Sequence, residues 1–130
     1  MIPRNIISPC KHWALVVASI KHKELWYLDP KCDTDDRKHV EEFLGHVAGY
    51  LELRLGLKGW KQVLPGRDSI PQQPDGFSCG VYTIVFADMV ALGIHPRDFS
   101  ARCGAGGKEF RDSILTLLGG PISMDNRAAV

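Results

Sequence analysis

From His12 to Ile20 the chain reads HWALVVASI, an almost continuously apolar run with two valines at its centre. A run of that kind suits a strand buried on both faces, so His12–Ile20 is read as a central strand. The polar stretch from Ser19 to Glu24 interrupts it, and Leu25-Trp26-Tyr27-Leu28 supplies a second strand ending at Asp29-Pro30. The two strands form a β-hairpin. Beyond it, Asp33, Thr34 and Asp35 offer helix-capping side chains, and Val40, Phe43, Leu44, Val47, Leu51 and Leu55 recur at helical spacing. An amphipathic helix over about Asp36 to Leu55 follows, closed by Gly56 and Gly59. Trp60 to Leu64 is short and apolar enough to be a further strand.

Between Pro65 and Ser78 proline and glycine dominate, which makes this a loop. It leads into a second long apolar run, Val81 to Leu92, read as a buried helix that begins near Cys79-Gly80 and ends at Gly93. A last helix is drawn from about Lys108 to Leu118, with Phe110, Ile114, Leu117 and Leu118 on one face, and the tail after Gly119 carries little core. With 130 residues, 45% of them hydrophobic, these elements fit one globular domain.

Charge and cysteine usage narrow the function classes. The 16 Lys and Arg are interleaved with 15 Asp and Glu, so neither a nucleic-acid nor a membrane partner is indicated. No apolar run reaches membrane-spanning length and the N-terminus lacks a secretory pattern, from which an intracellular location is expected. Cys10, Cys32, Cys79 and Cys103 show no C-x-x-C spacing, and the histidines make no metal set, so neither a zinc site nor a disulfide framework is expected.

Cys79 stands out because a helix N-terminus stabilises a thiolate through its unpaired N–H groups and dipole. Small neighbours, Ser78 and Gly80, would let a substrate backbone approach. A lone cysteine before an apolar helix is nonetheless more often a core residue. The hairpin changes that balance. A turn centred on Ile20 and Lys21 sets His12 directly opposite Asp29, where a carboxylate would fix the tautomer and orientation of the imidazole. Gln72 and Gln73 precede the cysteine on the Pro-rich loop, and a glutamine amide can donate to the oxyanion formed when a thiolate attacks a carbonyl. Taken singly, each of these residues has a plainer role as a structural histidine, a turn aspartate or a surface glutamine.

Taken together, His12-Trp13, Asp29, Gln73 and Cys79-Gly80 resemble the ubiquitin-like-protein protease family, which includes the SUMO-specific proteases. In that family a His-Trp pair opens a Val-rich strand, an Asp follows seventeen residues later, and a Gln stands six residues before a Cys-Gly; the same spacings occur here. The segments IPQQPDGFSCGVY and FADMV are also similar to the family's nucleophile loop and the helix after it. The resemblance implies an α+β, papain-like cysteine protease fold, of which residues 1–120 are the C-terminal portion of the catalytic domain and 121–130 a tail; the family's domain is longer at its N-terminus. It implies Cys79 as nucleophile, His12 as general base, Asp29 as its orienter and Gln73 as oxyanion donor, with Trp13, Gln72 and Gly80 at the substrate and Trp13 walling a tunnel for a Gly-Gly tail. The implied reaction is thioester formation on Cys79 and hydrolysis after the Gly-Gly terminus of a ubiquitin-like modifier, SUMO foremost, by a monomer in nucleus or cytoplasm without metal or organic cofactor. Two alternatives stay open: a shortened chain that only binds a modifier, and a viral or mobile-element type of protease with another Gly-containing substrate. Cys10, Cys32, Cys103, His22, His39, His46 and His95 are read as lying outside the site, and Trp26 and Trp60 as core.

Overall fold

A computed structural model of the chain describes residues 1–6, 12–32, 36–76 and 78–99. The proposed helix over Lys108–Leu118, the tail, Cys10, Cys103 and the capping residues Asp33, Thr34 and Asp35 lie outside the described residues. Four strands form one sheet in the order β1 (Ile2–Ile6), β2 (His12–Ser19), β3 (Glu24–Leu28) and β4 (Lys61–Val63). The first three are antiparallel neighbours, while the helix α1 (Arg37–Leu55) carries the chain back so that β4 runs parallel to β3. A second helix, α2 (Cys79–Ala91), and a single 3-10 turn at Pro96–Asp98 complete the described fold. It is a mixed helix and sheet arrangement of the expected α+β class. No described helix is long and apolar enough to cross a membrane.

The central strands explain themselves by alternation. Along β2, Leu15 and Val17 join Leu28 of β3 against Tyr82, Val85, Phe86 and Met89 of α2, with Ile70 and Phe99 closing that cluster. The alternate residues Ala14 and Val16, with Leu25 and Tyr27 of β3, pack instead on Val40, Leu44 and Val47 of α1. Both faces of the hairpin are therefore covered, which is why β2 reads as nearly continuous apolar sequence. Each fully buried Leu or Phe contributes about 1.5–3 kcal/mol by leaving water, so these two clusters dominate the stability of the sheet. The indole N–H groups stay satisfied: Trp26 Nε1 donates to Glu24 Oε2 at 2.8 Å and Trp60 Nε1 to the Leu57 carbonyl at 2.8 Å.

Several local expectations are corrected. Strand β1, IPRNI, is absent from the sequence reading because Pro3 and the following polar pair obscure it; proline is tolerated there because β1 is an edge strand. The cap of α1 is Asp36, whose carboxylate accepts from the Lys38 N–H at 2.9 Å; Gly56, at φ 67°, ends the helix in the left-handed region that favours glycine. Leu55 is exposed rather than part of the apolar stripe, and α2 is not buried all round: Ile84 is exposed, as is Leu92 just beyond the helix.

The hairpin register also differs. Ser19 pairs with Glu24, leaving four residues, Ile20–Lys23, in the connection, and Lys23 takes a positive φ of 52°. The turn centre thus moves by one position, and the pairing shifts by two. Continued to its end, the register sets Asp29 opposite Ala14, not opposite His12. A shift of two preserves the face of every side chain, so Asp29 remains a diagonal neighbour of His12.

Where the hairpin loop meets the chain after α2, His95 is half-buried and edge-on to both Trp26 and His22. Its Nδ1 accepts from the Arg97 backbone N–H at 3.2 Å, which requires an unprotonated nitrogen. Burial pushes the imidazole below its ordinary range, the Arg97 guanidinium adds to that, and Glu24 opposes it. The folded chain therefore binds this proton less tightly than the unfolded one. The resulting stability is fully present above the ordinary histidine range and is lost as pH falls through the lowered folded value. In a proton NMR titration, the His95 ring should show a midpoint below that of an unstructured histidine peptide, and His95→Gln should flatten the fall of melting temperature with acid.

Candidate active site

Strand alternation sorts the side chains at the start of β2. His12 falls in phase with Ala14 and Val16, and Asp29 in phase with Leu25 and Tyr27, so the two share a face of the sheet. They meet there: His12 Nε2 lies 2.6 Å from Asp29 Oδ1, and the residues are 4% and 6% exposed. A carboxylate can only accept, so Nε2 carries the proton and donates it to Asp29, leaving the Nδ1 lone pair available as a base. Asp29 Oδ1 also accepts the Lys31 N–H at 2.8 Å, which folds the turn after β3 back around the carboxylate.

Trp13 falls on the opposite phase, with Leu15 and Val17, and faces the start of α2. A Cβ placed on Gly80 would stand 3.6 Å from Trp13 Cδ1. The indole is 37% exposed although it lies against the helix. The start of α2 thus packs close to the Trp13 indole at Gly80. Cys79 is the first residue of α2, is 4% exposed and is not in a disulfide, while its carbonyl accepts from Thr83 Oγ1 at 2.8 Å.

The loop that delivers Cys79 is held by side chains rather than by repeating structure. Asp75 accepts the Ser78 N–H at 2.7 Å through Oδ1 and the Ser78 hydroxyl through Oδ2, which fixes the turn into the helix. Gln73 is 8% exposed. Its Nε2 donates to the Asp75 carbonyl at 2.8 Å, and its Oε1 is buried without a hydrogen-bond partner among the described residues. Reversing that amide would set two acceptors against each other, so Nε2 faces Asp75 and has one further N–H to offer. Gln72, grouped with the substrate contacts in the sequence, instead spends its amide on the backbone: Oε1 accepts the Cys32 N–H at 2.8 Å and Nε2 donates to the Asp29 carbonyl at 3.0 Å.

Cys32, set aside as a bystander, is also part of this turn. It is buried, with Sγ 3.5 Å from the Asp29 carbonyl oxygen and 3.6 Å from that of Pro65. Its contacts span from β3 to the loop after β4, a closeness in space that sequence spacing does not show. His22, His39 and His46 are exposed and away from this cluster, and His95 lies at the 3-10 turn. Among the described residues no three His, Cys, Asp or Glu side chains are grouped to hold a metal ion.

Comparison with known proteins identifies the family and the fold. Residues 2–114 match the family model described as Ulp1 protease family, C-terminal catalytic domain. The chain is 31% identical over 90 residues to the ubiquitin-like-specific protease 1A of Arabidopsis thaliana, an alignment covering 64% of this chain and 17% of that protein. Among solved structures it is similar to the Ulp1-like SUMO protease catalytic domain of Chaetomium thermophilum, with a TM-score of 0.56 and 25% identity, over 94% of this chain and 46% of that one. The chain thus spans about half of that solved domain and a smaller share of the Arabidopsis protein. With a fold, a family match and a structural likeness in agreement, the chain belongs to the Ulp1 protease family of cysteine peptidases and carries part of its catalytic domain.

Proposed function

We propose that the chain is a cysteine peptidase that cleaves after the Gly-Gly terminus of a ubiquitin-like modifier, with SUMO as the preferred one. The observation that carries this is the buried His12–Asp29 hydrogen bond of 2.6 Å, which leaves Nδ1 to serve as a base. The names of the relatives, a ubiquitin-like-specific protease and a SUMO protease catalytic domain, favour the same substrate class.

In the proposed cycle, His12 Nδ1 accepts the Cys79 thiol proton, and the thiolate is stabilised by the N-terminus of α2. Sγ attacks the carbonyl carbon of the terminal glycine, and the oxyanion takes N–H donation from Gln73 Nε2 and the Cys79 backbone. Collapse breaks the C–N bond, His12 returns the proton to the departing amine, and the acyl group remains as a thioester on Cys79. Water, deprotonated by the same imidazole, then hydrolyses the thioester. Asp29 holds the imidazolium in place and offsets its charge. Trp13 and Gly80 would line the narrow slot for the modifier's tail; a slot walled by an indole admits glycine and rejects side chains.

The activity is proposed for a monomer acting inside the cell, in nucleus or cytoplasm, on SUMO and its conjugates. It is tested with modifiers fused through Gly-Gly to a reporter. Release from the SUMO fusion, with little from the ubiquitin fusion and none when Gly-Gly is replaced by Ala-Ala, is the expected result. Binding of SUMO without release would favour the modifier-binding alternative instead.

A further inference from the structure

The proposed machinery falls into two halves that are remote in sequence. One is the His12–Asp29 pair on the β2–β3 hairpin; the other is the loop from Gln72 through Gln73 and Asp75 into Cys79. A side-chain link between the two runs through Gln72. Its Nε2 donates to the Asp29 carbonyl at 3.0 Å and its Oε1 accepts the Cys32 N–H at 2.8 Å, so one amide closes the whole Asp29–Cys32 turn from the side of the nucleophile loop. The next residue adds a backbone bond, Gln73 N–H to the Pro30 carbonyl at 2.7 Å. These partners are separated by about forty residues of chain, so the latch fixes tertiary geometry rather than local conformation.

We infer that Gln72 is a positioning residue: by latching the Asp29 turn to the nucleophile loop, it aims the Asp29 carboxylate, and through it the His12 imidazole, at the position occupied by Cys79. This rests on the proposed roles of His12, Asp29 and Cys79. The chemistry demands an amide here. A carboxylate at residue 72 offers no donor to the Asp29 carbonyl, and a thioether offers neither donor nor acceptor. Asparagine keeps both groups on a shorter stem that cannot span the 3.0 and 2.8 Å contacts together. A displacement of about 1 Å in an orienting group can cost on the order of 100-fold in rate, while substrate binding need not change.

The test is a double-mutant cycle on release of the reporter from the SUMO fusion, using the unsubstituted chain, Gln72→Met, Asp29→Asn and the double variant. Gln72→Met is expected to lower kcat by about 10- to 100-fold with KM within about twofold. In the Asp29→Asn background the same substitution should cost less than about threefold, because the carboxylate it aims is gone. A purely structural glutamine would instead give equal costs in both backgrounds, and that result overturns the inference. So does an unchanged kcat in Gln72→Met while Asp29→Asn is impaired. If Gln72→Met does not fold, Gln72→Asn carries the same expectation. An inactive unsubstituted chain, or an Asp29→Asn chain of full activity, overturns the proposed site itself and the inference with it.

Discussion

Cys79→Ala is expected to reduce release of a Gly-Gly-linked reporter by at least about 10⁴-fold while leaving binding of the modifier within a few-fold of the unsubstituted chain. The acyl group has nowhere else to go, since the covalent step uses Sγ, and removing a nucleophile forfeits most of the acceleration that the surrounding groups provide jointly. The fold should tolerate the change, because the substitution removes one buried sulfur atom from the first turn of α2 and leaves the Thr83 hydroxyl bond to the residue 79 carbonyl in place. Residual release above about 1% would mean that another group performs the attack.

Asp29→Asn is the second large effect, with turnover expected to fall by about 10²- to 10⁴-fold and melting temperature to stay close to that of the unsubstituted chain. Both contacts of the carboxylate converge on Oδ1, which accepts from His12 Nε2 and from the Lys31 N–H. An asparagine carbonyl can keep both, so the turn survives. What disappears is the negative charge opposite an imidazole that becomes cationic when it takes the thiol proton. Asp29→Ala separates the two roles: it takes the acceptor from the buried His12 Nε2–H, at about 1–3 kcal/mol, and removes the Lys31 bond that folds the turn, so it should lower melting temperature as well as rate. Turnover and thermal melting of the two variants side by side check this, and an Asp29→Asn chain within threefold of full rate would contradict it.

Much of this was legible in the sequence, for reasons that differ from element to element. Strand β2 and helix α1 announce themselves because burial on both faces, or on one helical stripe, leaves an unambiguous period in the residues. The pairing of His12 with Asp29 was reachable even from a register that is off by two, because only an odd slip would have moved one of them to the other face. The turn itself was not readable: KHK carries no turn-specific dipeptide, and Lys23 adopts the left-handed region without a glycine to signal it. Edge strand β1 was missed because at an edge the sequence need not be apolar, and Pro3 removes a donor that an edge can spare.

The roles of the loop residues were the least visible. Gln72 and Gln73 are adjacent and chemically identical, yet one amide serves the Asp29 turn and the other serves Asp75. Nothing local distinguishes them, since the partners of Gln72 lie forty and more residues away. Cys32 was hidden for the same reason: its neighbours at Asp29 and Pro65 meet only once β4 has come back beside β3.

The most direct test is to incubate the purified chain with SUMO bearing a C-terminal vinyl sulfone, with the ubiquitin analogue as competitor, and to locate any adduct by mass spectrometry of the digested protein. One SUMO adduct, on Cys79 and absent from His12→Ala, is the result expected from a His12-activated thiol at the head of α2. A folded chain that forms no adduct, or that is labelled on Cys10, Cys32 or Cys103 instead, would contradict it.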